Sequence, residues 1–323
     1  LMGHRVAAVT GATGFLGGYI VNALAKAGWQ VRTLVRRKPS APSPGIFTPE
    51  MVVGDIGDRR ALGALVDGAE IVIHAAGLIK ASSLAAFRAV NVDGTANLVG
   101  AINDSGPGKH LLLVSSMVAR EPQLSSYAAS KRDGEEAMAA LRGHDWSIAR
   151  PCAVYGPRDR ETLVLFQAAA RGILPLLGPA RGRVALIHAA DAADAVAGLC
   201  ERGQTGRIFE LTDRRIDGYS WLEIAAAAED AVGTRALTVP LPAVVVRAAA
   251  AVNMLAARLS GRTPIFTPGK AREILHADWG SAADRQPPTD IWQPAIELAA
   301  GFRDSVSWYR DRDWLPAAAP ARP

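Results

Sequence analysis

Five short apolar runs punctuate the first half of the chain: "RVAAVTG" (5–11), "QVRTLVRR" (30–37), "EIVIHAAG" (70–77), "HLLLVSS" (110–116) and "WSIARPCAVYG" (146–156). Each is short for a helix and too apolar for a loop, so each is expected to be a buried strand. Stretches with helical spacing, such as "FLGGYIVNALAKAG" and "DRRALGALVDG", lie between them. That alternation predicts βαβ units, and right-handed crossovers turn them into a doubly wound parallel sheet of the α/β class. Ligands of such a sheet sit at the C-terminal ends of its strands. After about residue 155 the rhythm changes. "LVLFQAAARGILPLLG" (163–178) reads as a helix and a Pro/Gly-rich loop, "GRIFELTD" (206–213) as a late strand, and 219–323 as mostly helix with proline breaks. The expected organisation is a large α/β domain over 1–155 and a smaller helical lobe over 156–323, with part of 184–212 returning to the large domain.

Composition narrows the function by exclusion. A formal net charge of +5 is spread along the chain, and the one tight basic run is Arg36-Arg37-Lys38. No basic stripe interleaved with aromatics is present, which argues against nucleic acid as a partner. Cys152 and Cys200 make neither a disulfide framework nor a metal cluster, so a reducing compartment is expected. The six histidines include no closely spaced pair, and no metal site is expected. The opening "LMGHRVAAVTG" lacks the layout of a secretory leader, and the expected location is cytoplasmic. No uninterrupted apolar run reaches membrane-spanning length; the nearest, 242–260, is broken by Arg247, Asn253 and Arg258.

Glycines Gly11, Gly14 and Gly17 in "VTGATGFLGG" fall between the first strand and its helix. Such a turn lets backbone approach a pyrophosphate seated at the helix N-terminus, as in dinucleotide-binding sheets. At the end of the second strand an acidic residue would bind a ribose 2′-hydroxyl, whereas arginine accommodates a 2′-phosphate. The chain has Arg36 and Arg37 there, so NADP(H) is expected ahead of NAD(H). Further on, "YAASK" puts Tyr127 and Lys131 one helical turn apart on one face. A lysine ammonium beside a phenol is expected to lower the phenol from its usual value of about 10 towards neutrality.

These stretches resemble the extended short-chain dehydrogenase/reductase family of nucleotide-sugar epimerases and dehydratases, 3β-hydroxysteroid dehydrogenases and ketone reductases. The resemblance runs in order through "TGATGFLG" (10–17), "GDIGD" (54–58), "HAAG" (74–77), "NVDGT" (91–95), "LLLVSS" (111–116), "YAASK" (127–131), "RPCAVYGP" (150–157) and "LIHAADAADA" (186–195). It implies a Rossmann fold and a cofactor set of Gly11, Thr13, Gly14, Phe15, Leu16 and Gly17 in the first turn. Asp55 and Ile56 would hold the adenine, Ala75, Ala76 and Gly77 would line the phosphate-ribose path, and Pro151 and Val154 would flank the nicotinamide. Catalysis would fall to Ser116, Tyr127 and Lys131, with Lys131 also binding ribose and Asn91 holding a water-linked proton path behind it. Ser115 is expected to serve backbone or cofactor, Cys152 to be an inert buried residue, and His188 and Asp191 to join the two lobes. A homodimer through helices of the large domain is the family's common assembly.

The resemblance leaves two enzyme classes open, a ketone/alcohol oxidoreductase and a nucleotide-sugar epimerase or dehydratase. An intact serine–tyrosine–lysine trio speaks against a third possibility, a non-catalytic binder. Only eleven positions separate Ser116 from Tyr127, which leaves little loop to grip a sugar, and the paired arginines favour NADP. The lobe is rich in apolar helix, notably 163–178 and 241–259. The expected substrate is accordingly an apolar ketone, sterol-like or a 3-oxo sphingoid lipid such as 3-oxo-ceramide, met in a tunnel or a membrane-facing groove.

Overall fold

The computed structural model describes residues 5–38, 47–179, 181–202, 205–260, 263–264 and 266–317. Its strands are β1 Val6–Thr10, β2 Gln30–Val35, β3 Glu50–Val53, β4 Ile71–His74, β5 His110–Val114, β6 Asp145–Pro151, β7 Ala153–Tyr155, β8 Ile173–Leu176, β9 Arg183–Val184, β10 Leu186–His188, β11 Arg207–Leu211, β12 Leu237–Pro240 and β13 Asp278–Trp279. The α-helices are α1 Phe15–Lys26, α2 Arg59–Val66, α3 Leu84–Asn91, α4 Asp93–Asn103, α5 Ser126–Ala137, α6 Leu163–Ala170, α7 Ala189–Glu201, α8 Trp221–Val232, α9 Ala243–Ser260, α10 Pro268–Leu275 and α11 Leu298–Asp311.

Seven strands, all paired in parallel, form one sheet in the order β11-β6-β5-β4-β1-β2-β3. This is the Rossmann arrangement, and chain order reverses between β1 and β4, which opens a crevice at Thr10 and His74. Side chains alternate across each strand. Ala7 and Val9 face Ile20, Leu24 and the α7 residues Val196 and Leu199, whereas Ala8 and Val72 face Leu62, Leu65, Leu98 and Ile102. Helices therefore cover both faces, which is why the strands read as continuous apolar runs rather than alternating ones.

Two expectations need correction. The edge strand β3 has only four half-exposed or exposed residues, too few to register as an apolar run. The run 146–156 is two strands, because Pro151 lacks the N–H needed to continue the ladder. After that break β7 leaves the main sheet and pairs with β10. β11 returns to the sheet beside β6, and α7 packs on the α1 side of it.

The C-terminal helices enclose a separate core around Phe166, Phe302, Tyr155 and Tyr309. Local sequence explains their ends. Ser220 and Glu223 form a reciprocal capping box at the start of α8, and Gly233, at φ 74°, terminates it. His188 and Asp191 join the lobes as expected. His188 accepts from Ala190 N and lies 3.3 Å from Asp304, while Asp191 accepts from the amides of Ala295 and Ile296.

Candidate active site

The turn after β1 is tight, with Gly14 N–H donating to Gly11 O at 2.9 Å. Gly11 has φ +78°, and a Cβ there would stand 2.5 Å from the Ala75 and Ala76 backbone, so only glycine allows this approach. Gly14 opens α1 without a side-chain cap, and no acidic residue occupies the first helical turn. Thr13 and Gly14 are exposed, Gly17 is buried, Leu16 packs on the core, and Phe15 lies edge-on to Tyr19 at 5.8 Å. An uncapped helix start over an exposed turn is a seat for an anion such as a pyrophosphate. The residues present thus fit a dinucleotide.

A directed hydrogen-bond chain supports that turn from beneath. Ala76 N–H donates to Thr10 Oγ1 at 3.2 Å, and Thr10 Oγ1 lies 2.7 Å from His74 Nδ1. His74 Nε2 lies 3.0 Å from Thr95 Oγ1, which donates to the Asn91 carbonyl at 2.8 Å. Because the Thr95 proton is committed to Asn91, Nε2 must be the donor and Nδ1 the acceptor, which is one neutral tautomer. Burial, with the Lys131 charge in support, lowers His74 to about 3, so the ring stays neutral.

Asn91 lies buried behind the lysine. Its Oδ1 accepts from Leu78 N at 2.8 Å, and its Nδ2 donates to Leu78 O at 3.1 Å and to Ser130 Oγ at 2.9 Å. The side chain clamps the loop after Gly77. A Cβ on Gly77 would stand 3.3 Å from Asn91 Oδ1 and 3.7 Å from Lys131 Nζ, so this loop faces the lysine directly. On the other side Gly134 lets α5 press against the Asn91 carbonyl, which a Cβ would approach to 2.4 Å.

Ser125 caps α5 by accepting from Ala128 N at 2.9 Å, which fixes the start of the helix that carries Tyr127, Lys131 and Glu135 on one face. Ser116, just beyond β5, hydrogen-bonds the half-buried Tyr127 phenol, and Phe87 packs 5.9 Å from its ring. Lys131 Nζ donates to Val114 O at 2.9 Å, and burial, opposed by Glu135, brings it down to about 8. The expected lysine effect on the phenol is corrected here. Burial raises Tyr127 to about 12, the Ser116 hydrogen bond opposes that rise, and Glu273 adds to it. With burial as the largest cause, the phenol stays a proton donor across the neutral range.

Three buried groups escaped the sequence reading. Glu135 accepts from Arg150 through both carboxylate oxygens, at 2.8 and 2.5 Å, and from Ser115 Oγ at 2.5 Å. The Ser115 hydroxyl thus donates to the carboxylate whose charge also acts on the lysine. Its signal was the i, i+4 spacing of Lys131 and Glu135. Glu273 of α10 accepts from Ser125 Oγ and from Lys270 Nζ, reaching the α5 N-terminus from far along the chain. No local spacing announces that contact.

The remaining predicted residues fall around the same crevice. Asp55 is exposed and accepts from Gly57 N at 3.0 Å, and Ile56 packs beside Gly94. Ala75 and Ala76 follow β4, Pro151 ends β6, and Val154 lies in β7. Arg36 and Arg37 are exposed at the end of β2, and neither has a carboxylate partner among the described residues. Burial raises the Cys152 thiol well above its ordinary value, as an inert residue requires. Among the described residues no group of three His, Cys, Asp or Glu side chains could hold a metal ion. A surface cleft of about 640 Å³ is lined by Arg120, Arg132, Arg150, Glu210, His276 and Arg285 among others, and not by Ser116 or Tyr127. Glu210 pairs there with Arg120 and Arg285, so the cleft joins β11 to the lobe.

The NAD dependent epimerase/dehydratase family matches residues 7–212. The chain is 45% identical over 314 residues to the ceramide reductase of Caulobacter vibrioides, with 96% of each chain covered. It is 27% identical over 225 residues to a 4-hydroxy-2-methyl-3-oxo-4-farnesyl-3,4-dihydroquinoline-1-oxide ketoreductase of Stigmatella aurantiaca, covering 64% of this chain and 67% of that one. The crystal structure of gox2253 shares the fold at a TM-score of 0.75 and 22% identity, over 97% of this chain and 99% of that one. The chain belongs to the NAD-dependent epimerase/dehydratase family of extended short-chain dehydrogenase/reductases, and it is an NAD(P)-dependent enzyme.

Proposed function

We propose that this enzyme reduces a ketone to a secondary alcohol on a long-chain lipid, of the 3-oxo-sphingoid or 3-oxo-ceramide class, with NADPH. The observation that carries the reading is the match over 96% of the chain to a relative named ceramide reductase, in a molecule whose Ser116 hydrogen-bonds the Tyr127 phenol. NADPH, when bound, supplies the hydride. Ser116 holds the substrate oxygen where negative charge develops. Tyr127, protonated across the neutral range, donates its proton to that oxygen as the alcohol forms. Lys131, held at Val114 O and balanced by the Glu135–Arg150 pair, places its charge where the nicotinamide ribose would lie. Arg36, with Arg37, takes the 2′-phosphate.

Long acyl chains favour the bilayer by about 0.8 kcal/mol for each methylene buried, so an enzyme of this specificity meets its substrate at a membrane surface from the cytoplasmic side. The short segment between Ser116 and Tyr127 folds into two compact turns, Met117–Arg120 and Pro122–Leu124, which leaves no extended loop to grip a sugar. The test is NADPH oxidation with 3-oxo lipids of increasing chain length, beside UDP- and dTDP-sugars. A rise of kcat/KM with chain length and no turnover of the sugars is expected. A flat series with ready conversion of a nucleotide sugar overturns the assignment in favour of an epimerase or dehydratase.

A further inference from the structure

Helix α9 is amphipathic in the reverse sense. Its buried stripe consists of small or medium side chains, Val246, Ala250 and Ala257, of which Val246 and Ala250 pack with α10 residues Ala271 and Leu275 and with Phe266. At roughly 100° per residue the opposite face carries Val244, Ala248, Val252, Leu255 and Leu259 in one line. The larger of these are open to solvent, Val252 at 67%, Leu255 at 58% and Leu259 at 83%. A monomer in water gains nothing from turning its largest aliphatic residues outward while burying alanines. The helix contains no carboxylate, and its two charges, Arg247 and Arg258, lie three turns apart on one flank of the stripe.

We propose that α9 seats the enzyme on the surface of an anionic lipid bilayer, lying in the interface with the Val252–Leu255–Leu259 face in the acyl region and Arg247 and Arg258 on the phosphates. The inference rests on the lipid specificity proposed above and deepens it by naming the surface at which the substrate is met. Charge complementarity selects the occupant, since an apolar stripe flanked by arginine alone matches acyl chains edged with anionic head groups. By length and composition α9 could cross a bilayer. Its buried stripe, however, is covered by α10, which carries Lys270, Arg272 and Glu273, and a spanning α9 would draw those charges into hydrocarbon. Asn253 Oδ1 accepts from Phe266 N at 3.0 Å and ties α9 to the segment leading into α10.

The placement also serves access. Arg272 Nε donates to Leu124 O at 2.6 Å and Glu273 bonds Ser125, so α10 joins α9 to the first turn of the Tyr127 helix. A lipid leaving the bilayer under α9 therefore meets the lobe beside the proton donor.

The test is flotation of the full chain with vesicles of phosphatidylcholine alone and of equal parts phosphatidylcholine and phosphatidylglycerol. Wild type is expected to float with the anionic vesicles more than with the neutral ones, and added salt, which screens the arginine–phosphate attraction, should remove that excess. Val252→Asp with Leu255→Asp, both at exposed positions, should cut flotation by at least about 10-fold. It should leave Tm and NADPH oxidation with a short, soluble 3-oxo substrate unchanged, and Arg247→Ala with Arg258→Ala should remove the preference for anionic vesicles. Undiminished flotation of the aspartate variant overturns the proposal, as does a wild type that never floats. Two further results overturn it in favour of another occupant: a dimer that the aspartate variant splits, or resistance to alkaline extraction. Flotation without turnover of any lipid ketone would sink the substrate assignment alone, whereas lipid turnover undisturbed in a variant that no longer floats would sink the docking surface alone.

Discussion

Strand β5 and helix α9 are both written largely in aliphatic residues, yet the molecule treats them in opposite ways. The "HLLLV" of β5 is enclosed on both faces, with Leu111 and Leu112 at 0% exposure, whereas α9 shows Leu259 at 83%. The strand has helices on both sides because a parallel sheet needs crossovers, and those crossovers bury it. Nothing in the fold demands a second layer over α9. Apolar composition thus reports burial only where topology supplies a partner, and an aliphatic helix outside the sheet is free to do something else.

The comparison can be broken most severely at Tyr127, the proposed proton donor, which belongs to the sheet half. Tyr127→Phe should lower kcat by about three orders of magnitude, the middle of the range for losing a general acid, while calorimetry finds NADPH affinity nearly unchanged. A variant that keeps its rate would remove Tyr127 from the mechanism.

Next in size is the packing contrast itself. Leu62, at 0% exposure against the sheet, should cost about 2–5 kcal/mol on truncation to alanine. Leu255→Ala in α9 should stay within about 0.5 kcal/mol. Urea unfolding of the two variants decides it, and equal losses would mean that α9 is covered in solution.

A buried ammonium gives the third. Lys131 is held down at about 8 against an ordinary 10.5, so the native state disfavours its charged form. Below about pH 8 both states carry the charge and the native state bears the full cost. Between 8 and 10.5 the unfolded chain holds more protons, so wild-type stability rises with pH, and above 10.5 the cost is gone. Lys131→Met should therefore stabilise the protein at pH 7 by about 2 kcal/mol, a gain that fades through that window, while activity is lost. Denaturation at pH 7 and pH 10 measures it.

The smallest effect is expected at the exposed end of β2. Arg36→Ala should weaken NADPH by about one to two decades, from about 1.5–3 kcal/mol of charge-assisted bonding, and leave NADH unchanged. Equal affinities for both cofactors in wild type would remove the 2′-phosphate role.

Legibility followed the same division. The sheet could be read because each central strand is a bounded apolar run, and Ser116, Tyr127 and Lys131 could be named as candidates because they fall in tightly spaced motifs. β3 could not, since four half-covered residues carry no run, and the break at Pro151 was hidden inside a longer apolar stretch. The environment of Tyr127 was illegible for a different reason. Glu273 reaches Ser125 across 148 positions, and such contacts exist only once the lobe has docked. The sign of the phenol shift was therefore misjudged, because spacing on a helix shows which groups are neighbours and not which are desolvated.

His74, the centre of the hydrogen-bond chain beneath the cofactor turn, makes the molecule vulnerable to acid. The unfolded chain takes up a proton on this imidazole near its ordinary 6.5, whereas the folded protein resists until about 3. From pH 6.5 downward the open chain gains about 1.4 kcal/mol for each pH unit relative to the native state. A protein that rests its nucleotide loop on a neutral imidazole in this way has a fuse in its crevice, because protonating that ring opposes the fold that holds the turn.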